Sequence, residues 1–152
     1  MRFTHFIAIA FLLSLTMFIG CKGTENPYGT VQVEGTVTLD GTPIEGVNVN
    51  FIARGGEFSA GGLTNASGKF TVATGGFTGA KPGEYDVTFS KMELSGQDLS
   101  YEEYTAKFGN RQPEPVYLIP QKYENAKTSG IKPVTVATDK KQNVFTFELQ
   151  SK

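Results

Sequence analysis

From residue 31 the chain alternates between apolar and polar positions. Val31, Val33, Gly35, Val37 and Leu39 are separated by Gln32, Glu34, Thr36 and Thr38, and a period of two puts the first set on one face of an extended strand and the second on the other. Asp40-Gly41-Thr42-Pro43 then turns the chain, since glycine tolerates positive φ and proline fixes its own. A second strand places Val47, Val49, Phe51 and Ala53 on one face against Asn48, Asn50 and Ile52. After Gly55-Gly56 a short, glycine-rich strand over 59–64 is expected near a sheet edge. Asn65-Ala66-Ser67-Gly68 is the next turn, followed by Phe70 and Val72 against Lys69, Thr71 and Ala73. Beyond Lys81-Pro82-Gly83, the residues Tyr85, Val87 and Phe89 face inward while Glu84, Asp86, Thr88 and Ser90 face out. Val134 with Val136, and then Phe145, Phe147 and Leu149, complete the series. About seven short strands joined by turns predict an all-β fold, a seven-stranded antiparallel sandwich.

One stretch, 92–130, breaks this rhythm. Ser100-Tyr101-Glu102-Glu103 has capping-box spacing, and Tyr101, Tyr104 and Phe108 share one helical face up to Gly109, which predicts one short helix inside a long insert. Gln112-Pro113-Glu114-Pro115 is extended, because proline lacks an N–H and pushes its predecessor out of the helical region. An insert of this length is either a functional surface or a cover for an open end of the sandwich.

The first residues follow neither period. Met1-Arg2 opens a segment that runs apolar from Phe6 to Ile19, interrupted by Ser14 and Thr16, and closes on Phe18-Ile19-Gly20-Cys21. As a helix, 6–19 would reach ~21 Å, short of the ~30 Å hydrocarbon core of a bilayer. The layout is that of a cleavable export signal over 1–20. Cys21 is the only cysteine of the 152 residues. Here the chain resembles bacterial lipoproteins, in which an apolar-x-Gly/Ala-Cys box is cut before the cysteine and the thiol is diacylglycerated. The resemblance implies lipidation of Cys21 with palmitate-type acyl chains, membrane attachment through that lipid and, with Lys22 rather than aspartate next, an outer-membrane destination. An uncleaved anchor and secretion with a free thiol are the rival readings. Lys22 to Gly29 is small, polar and turn-rich, so 21–29 reads as a flexible lipidated tether and 30–152 as one domain.

Composition narrows the chemistry. The sole histidine, His5, lies in the signal, so the exported part has no imidazole for a triad, a zincin site or a Cys/His zinc site. Its charges are mixed in sign, without the basic stripe that nucleic acids require. Glu102 and Glu103 diverge by about 100° on a helix and suit a cap better than a catalytic pair. Asp40, Asn65 and Asp139 could offer oxygens to calcium, but no loop spacing concentrates them. No metal, cofactor or catalytic residue is expected.

The run Val33-Glu34-Gly35-Thr36-Val37-Thr38-Leu39-Asp40-Gly41-Thr42-Pro43, continued to Gly46-Val47, resembles the opening of carboxypeptidase regulatory-like, transthyretin-related domains. Leu63 to Phe70, Lys81 to Val87 and Asn143 to Leu149 match the same pattern. With Glu102-Glu103-Tyr104, the prolines of 112–115, Pro120-Gln121-Lys122-Tyr123 and Ser129-Gly130, the chain is similar to small planctomycete-type lipoproteins. The resemblance implies a Greek-key sandwich, transthyretin-like or immunoglobulin-like, with no chemistry of its own. The expected function is that of a non-enzymatic, lipid-anchored envelope protein serving as a structural or interaction module. The alternative is a carbohydrate- or peptide-binding accessory protein. Its contacts with an envelope protein or polysaccharide would be Tyr101, Tyr104, Tyr117 and Tyr123, flat apolar rings with polar tips.

Overall fold

The computed structural model describes residues 26–56 and 58–152. The alternating runs become strands in order: β1 (Glu34–Leu39), β2 (Thr42–Pro43), β3 (Asn48–Ala53), β4 (Ala60–Leu63), β5 (Lys69–Thr71), β6 (Ala73–Thr74), β7 (Phe77–Thr78) and β8 (Gly83–Ser90). Then come β9 (Met92–Leu94), the helix α1 (Tyr101–Phe108), β10 (Pro115–Tyr117), a 3-10 turn η1 (Gln121–Glu124), β11 (Val134–Val136), a second such turn η2 (Lys140–Gln142) and β12 (Val144–Leu149). The seven expected strands are β1, β3, β4, the β5–β6 run, β8, β11 and β12.

Two sheets enclose the core. In the smaller, β1 lies between β12 on one side and β2 and β5 on the other; the larger, curled sheet runs β11-β8-β3-β4-β6-β7. The chain over 69–74 serves both. β5 pairs with β1, and one residue later, past buried Val72, β6 pairs with β4 and β7. One run thus crosses from sheet to sheet and closes that corner.

Two expectations need correction, the direction of pairing and the outward Thr88. The pairing is not wholly antiparallel: β1 and β12 run parallel, Glu34 opposite Val144 through Leu39 opposite Leu149. Parallel neighbours need a long connection, and here it is the rest of the domain. β4 does lie near an edge: only the two-residue β6 and β7 stand beyond it, and its link to β6 is the single pair Gly61–Ala73. Thr88 is buried although alternation turns it outward; η1 packs against β8 and covers that strand's outer face at this position, while Glu84 on the same face stays exposed.

Inward-facing positions form one core. Val33, Val37, Val47, Val49, Phe51, Phe70, Val72, Tyr85, Val87, Phe89, Phe147 and Leu149 are buried, with Phe145 packed against them. Phe147 of the small sheet meets Phe89 of the large one with ring centroids 4.9 Å apart, and Phe51 at 6.4 Å. Aromatic rings at such separations add to the apolar area that they remove from water.

The turns follow from side-chain chemistry. Asp40 and Gly41 both have positive φ, 50° and 81°, between the paired residues Leu39 and Thr42. This is the two-residue hairpin whose twist matches its strands and which favours Asp-Gly. Asn65 Oδ1 accepts from the N–H groups of Ser67 and Lys69 and so organises the next turn.

The ladders give the domain two ends. Ala53 lies opposite Tyr85 while Asn48 lies opposite Ser90. The β3–β4 connection, the Gly75-Gly76 turn and the Lys81-Pro82-Gly83 corner therefore share one end. The Asp40-Gly41 turn, the Asn65–Gly68 turn and the insert leaving β8 occupy the other.

Candidate functional site

Four tyrosines are the candidate partner contacts, or else pins that hold the insert to the sandwich, and the fold gives them different environments. α1 begins as its sequence dictates: Ser100 Oγ accepts from the Glu103 N–H, and the Glu103 carboxylate accepts from the Ser100 N–H at 2.9 Å. That backbone N–H, followed by the Ser100 hydroxyl, holds the Glu103 carboxyl below its ordinary value. On this helix Tyr101 is 85% exposed. One turn on, Tyr104 packs its ring on Phe108 at 4.9 Å and donates its hydroxyl to the Arg111 carbonyl at 3.2 Å. It pins the helix to its own return loop.

Tyr117 lies on β10, which pairs only with β9 to make a two-stranded ribbon carrying α1 at its tip. Cross-strand pairs place Met92 opposite Tyr117 and Leu94 opposite Pro115 on one face, and all four are exposed. Tyr117 also accepts from the Gln121 amide at 3.1 Å. Tyr123 belongs elsewhere. It is buried in the core with Ile119, and its hydroxyl accepts from the Gln150 N–H at 2.9 Å. The insert therefore divides in two: 92–117 projects outward, and 118–129 covers the body. Tyr101 and Tyr117 remain available to a partner, Tyr104 is half-buried, and Tyr123 is structural.

Several residues without a sequence signal prove to organise the domain. Asn143 is fully buried, and its amide accepts from the Ala137 N–H at 2.8 Å and donates to the Ala137 and Gln32 carbonyls at 2.9 and 3.3 Å. Arg54 pairs with Asp86 at 2.9 Å across the β3–β8 ladder. Both side chains are partly exposed, so the pair contributes little to stability. Beside it lies an open groove of about 430 Å³ bounded by Arg54, Phe58, Lys81, Glu84 and Tyr85. A shallow depression of about 710 Å³ lies over Gly35, Phe70 and Val144 on the small sheet.

Tyr85 is the third residue of β8 and donates its hydroxyl to the Lys81 carbonyl at 2.7 Å. Burial pushes its pKa above the ordinary tyrosine value. The folded state thus favours the neutral phenol: its contribution is complete below the unfolded pKa of about 10 and is lost as pH climbs past it. Tyr85→Phe should cost about 1 kcal/mol near neutrality and flatten the decline of melting temperature as pH rises above about 10. Melting curves across that range check both effects, and an unaltered alkaline slope would remove Tyr85 as its source.

The loop oxygens considered for calcium serve the backbone instead. Asp40 Oδ1 accepts from the Ser151 N–H and Asp139 Oδ1 from the Lys141 N–H. Hydrogen bonding by Ser151, side chain and then backbone, keeps the Asp40 carboxyl below its usual value. Among the described residues no three Asp, Glu, His or Cys side chains gather as a metal would require, and no helix is long and apolar enough to cross a membrane. Cys21 and the whole 1–20 segment lie outside the described residues. No family model matches the chain, and no curated protein or solved structure compared with it gives a match.

The described part of the expected tether, 26–29, is folded onto the domain. Asn26 Oδ1 accepts from the Tyr28 N–H, and Thr30 Oγ1 accepts from the Asn26 amide and donates to the Thr78 carbonyl. Tyr28 packs edge-on against Phe58 at 5.2 Å and against Phe77 at 5.8 Å. An aromatic ring inside an otherwise small, polar stretch was the available clue.

Proposed function

We propose that the chain is a non-enzymatic, lipid-anchored envelope protein whose β domain is a structural or interaction module. The observation that carries the reading is Cys21, the sole thiol, directly behind an apolar segment too short to span a bilayer and closed by Phe18-Ile19-Gly20. The domain's chemistry agrees. Among the described residues, the two carboxyls with displaced pKa values, Asp40 and Glu103, are lowered by hydrogen bonds at a turn and a helix cap; neither is raised as a general acid would be.

On the finer architecture, we read the domain as a seven-stranded Greek-key sandwich of transthyretin-like kind with additions. Support comes from two sheets sharing one aromatic core. It comes also from Tyr85, whose bond back to Lys81 at the start of a strand is the corner device of immunoglobulin-type sandwiches.

A second reading, a carbohydrate- or peptide-binding accessory protein of the envelope, is favoured by exposed Tyr101 together with the apolar ribbon face of Met92, Leu94 and Tyr117.

One preparation tests both. In a bacterial host, mass spectrometry of the mature N-terminal peptide should find residue 21 first and acylated, and Cys21→Ser should move the protein from the membrane pellet to the soluble fraction. An intact, unmodified 1–20 segment would sink the proposal. Retention of the acylated protein on immobilised envelope polysaccharide, lost when Tyr101 and Tyr117 are changed to alanine, would favour the second reading over the first.

A further inference from the structure

The chain enters the domain at a fixed place. Tyr28 is clamped between Phe58 and Phe77, and Thr30 is bonded to Thr78, so the polypeptide cannot swing freely from residue 31. The first described residue, Asn26, lies at the end that holds the Gly75-Gly76 turn and the Lys81-Pro82-Gly83 corner. Between Asn26 and Cys21 lie only residues 22–25, and five residue steps fully extended reach about 17 Å. That is less than the length of an eight-residue strand such as β8 (Gly83–Ser90), which spans roughly 26 Å.

We infer that the Tyr28 end of the domain is held against the membrane surface, with exposed Phe58 at the level of the lipid headgroups and the α1 ribbon pointing away from the bilayer. The inference rests on acylation of Cys21 as proposed above. The surface at that end suits a bilayer interface. Phe58 is 39% exposed and forms one aromatic cluster with the half-buried Tyr28 and Phe77, and rings favour the boundary between hydrocarbon and water. The groove beside Phe58 is bordered by Lys81, Glu84 and Arg54, the last paired with Asp86, so the aromatic cluster rather than an excess of positive charge favours this end as the seat. With this end seated, the exposed Met92, Leu94 and Tyr117 stand at the opposite end of β8, free for a partner in the space beyond.

The test uses the acylated, full mature protein in vesicles of phosphatidylethanolamine and phosphatidylglycerol. Because the only native thiol is blocked by lipid, a cysteine introduced by Ser59→Cys or Ser67→Cys is the single labelling site. Ser59 adjoins Phe58, and Ser67 is exposed in the turn at the other end of β4. A fluorophore at Ser59→Cys should be quenched about three-fold or more relative to one at Ser67→Cys by nitroxide-labelled headgroups. Tyr28→Ala, with melting checked as unchanged, should narrow that contrast because it releases four more residues of tether. Equal or reversed quenching at the two sites would overturn the inference while acylation stands, and a contrast indifferent to Tyr28→Ala would overturn the clamp as its cause. Mass spectrometry of the same sample separates these results from failure of the lipid anchor, since a protein lacking acyl chains defeats both readings.

Discussion

Phe147→Ala should destabilise the domain by about 3–5 kcal/mol, the range for removing a large ring from a packed interior. Phe147 is nearly buried at 6% exposure and touches rings from both sheets: Phe89 at 4.9 Å, Phe70 at 6.2 Å, Phe145 at 6.3 Å and Phe51 at 6.4 Å. Truncation leaves a cavity that four neighbouring rings cannot easily fill, because their own backbones belong to different strands. The surrounding valines are fixed in strands β1 and β3 as well. Phe147→Leu retains most of the volume and should cost clearly less, within about 1–2 kcal/mol. Denaturant melts of the three proteins decide the point. A Phe147→Ala curve overlapping the parent's would mean that the two sheets do not close on this residue.

The second large effect is expected at a polar residue. Asn143→Leu should cost about 3 kcal/mol, since it removes a fully buried amide and strands the Ala137 N–H, the Ala137 carbonyl and the Gln32 carbonyl, all part-buried, without their partner. The Asn143 backbone carbonyl also accepts from the Glu34 N–H at 3.1 Å, one step before the β1–β12 ladder starts. No hairpin sets the register of that ladder, so this amide does, and a slip of one residue would turn Phe147 to the outside. Asn143→Asp adds a sign test. A carboxylate facing two carbonyls is disfavoured in the folded state, so its pKa rises there; the variant should be least impaired below about pH 4 and lose stability as pH rises beyond the unfolded carboxyl value. Equal losses at pH 3 and pH 7 relative to the parent would contradict the bonding seen here.

The backbone of the fold was legible because its strands obey a single period. Val47, Val49 and Phe51 alternate without interruption, and so do Tyr85, Val87 and Phe89, and each set lies inside. α1 was legible for another reason: Ser100 and Glu103 write the cap directly into the sequence. Pairing was harder to read. Nothing in 34–39 or 144–149 distinguishes a parallel partner from an antiparallel one, because alternation fixes a strand's face and not its neighbour. The β9–β10 ribbon escaped notice because its strands are three residues each and exposed on both faces, so that no alternation marks them, although 112–115 reads as extended.

The tyrosine group shows the limit of reading a site from residue type. Tyr101 and Tyr123 are chemically alike, yet one is almost fully solvated and the other is core, since Ile119 and the 3-10 turn carry the second inward. Asn143, at the start of the 143–149 run, carries no signal in its residue type for the same reason. Its importance comes from Gln32, 111 residues away in the chain.

The side-by-side placement of strands 34–39 and 144–149 governs when this protein can become resistant to proteases. On a ribosome, the first strand emerges long before its neighbour is made, and Phe145, Phe147 and Leu149 are missing from the interior throughout that interval. A nascent chain interrupted before residue 144 therefore exposes the apolar faces of both sheets, leaving stalled products open to degradation and keeping the growing polypeptide unfolded until its late segments arrive.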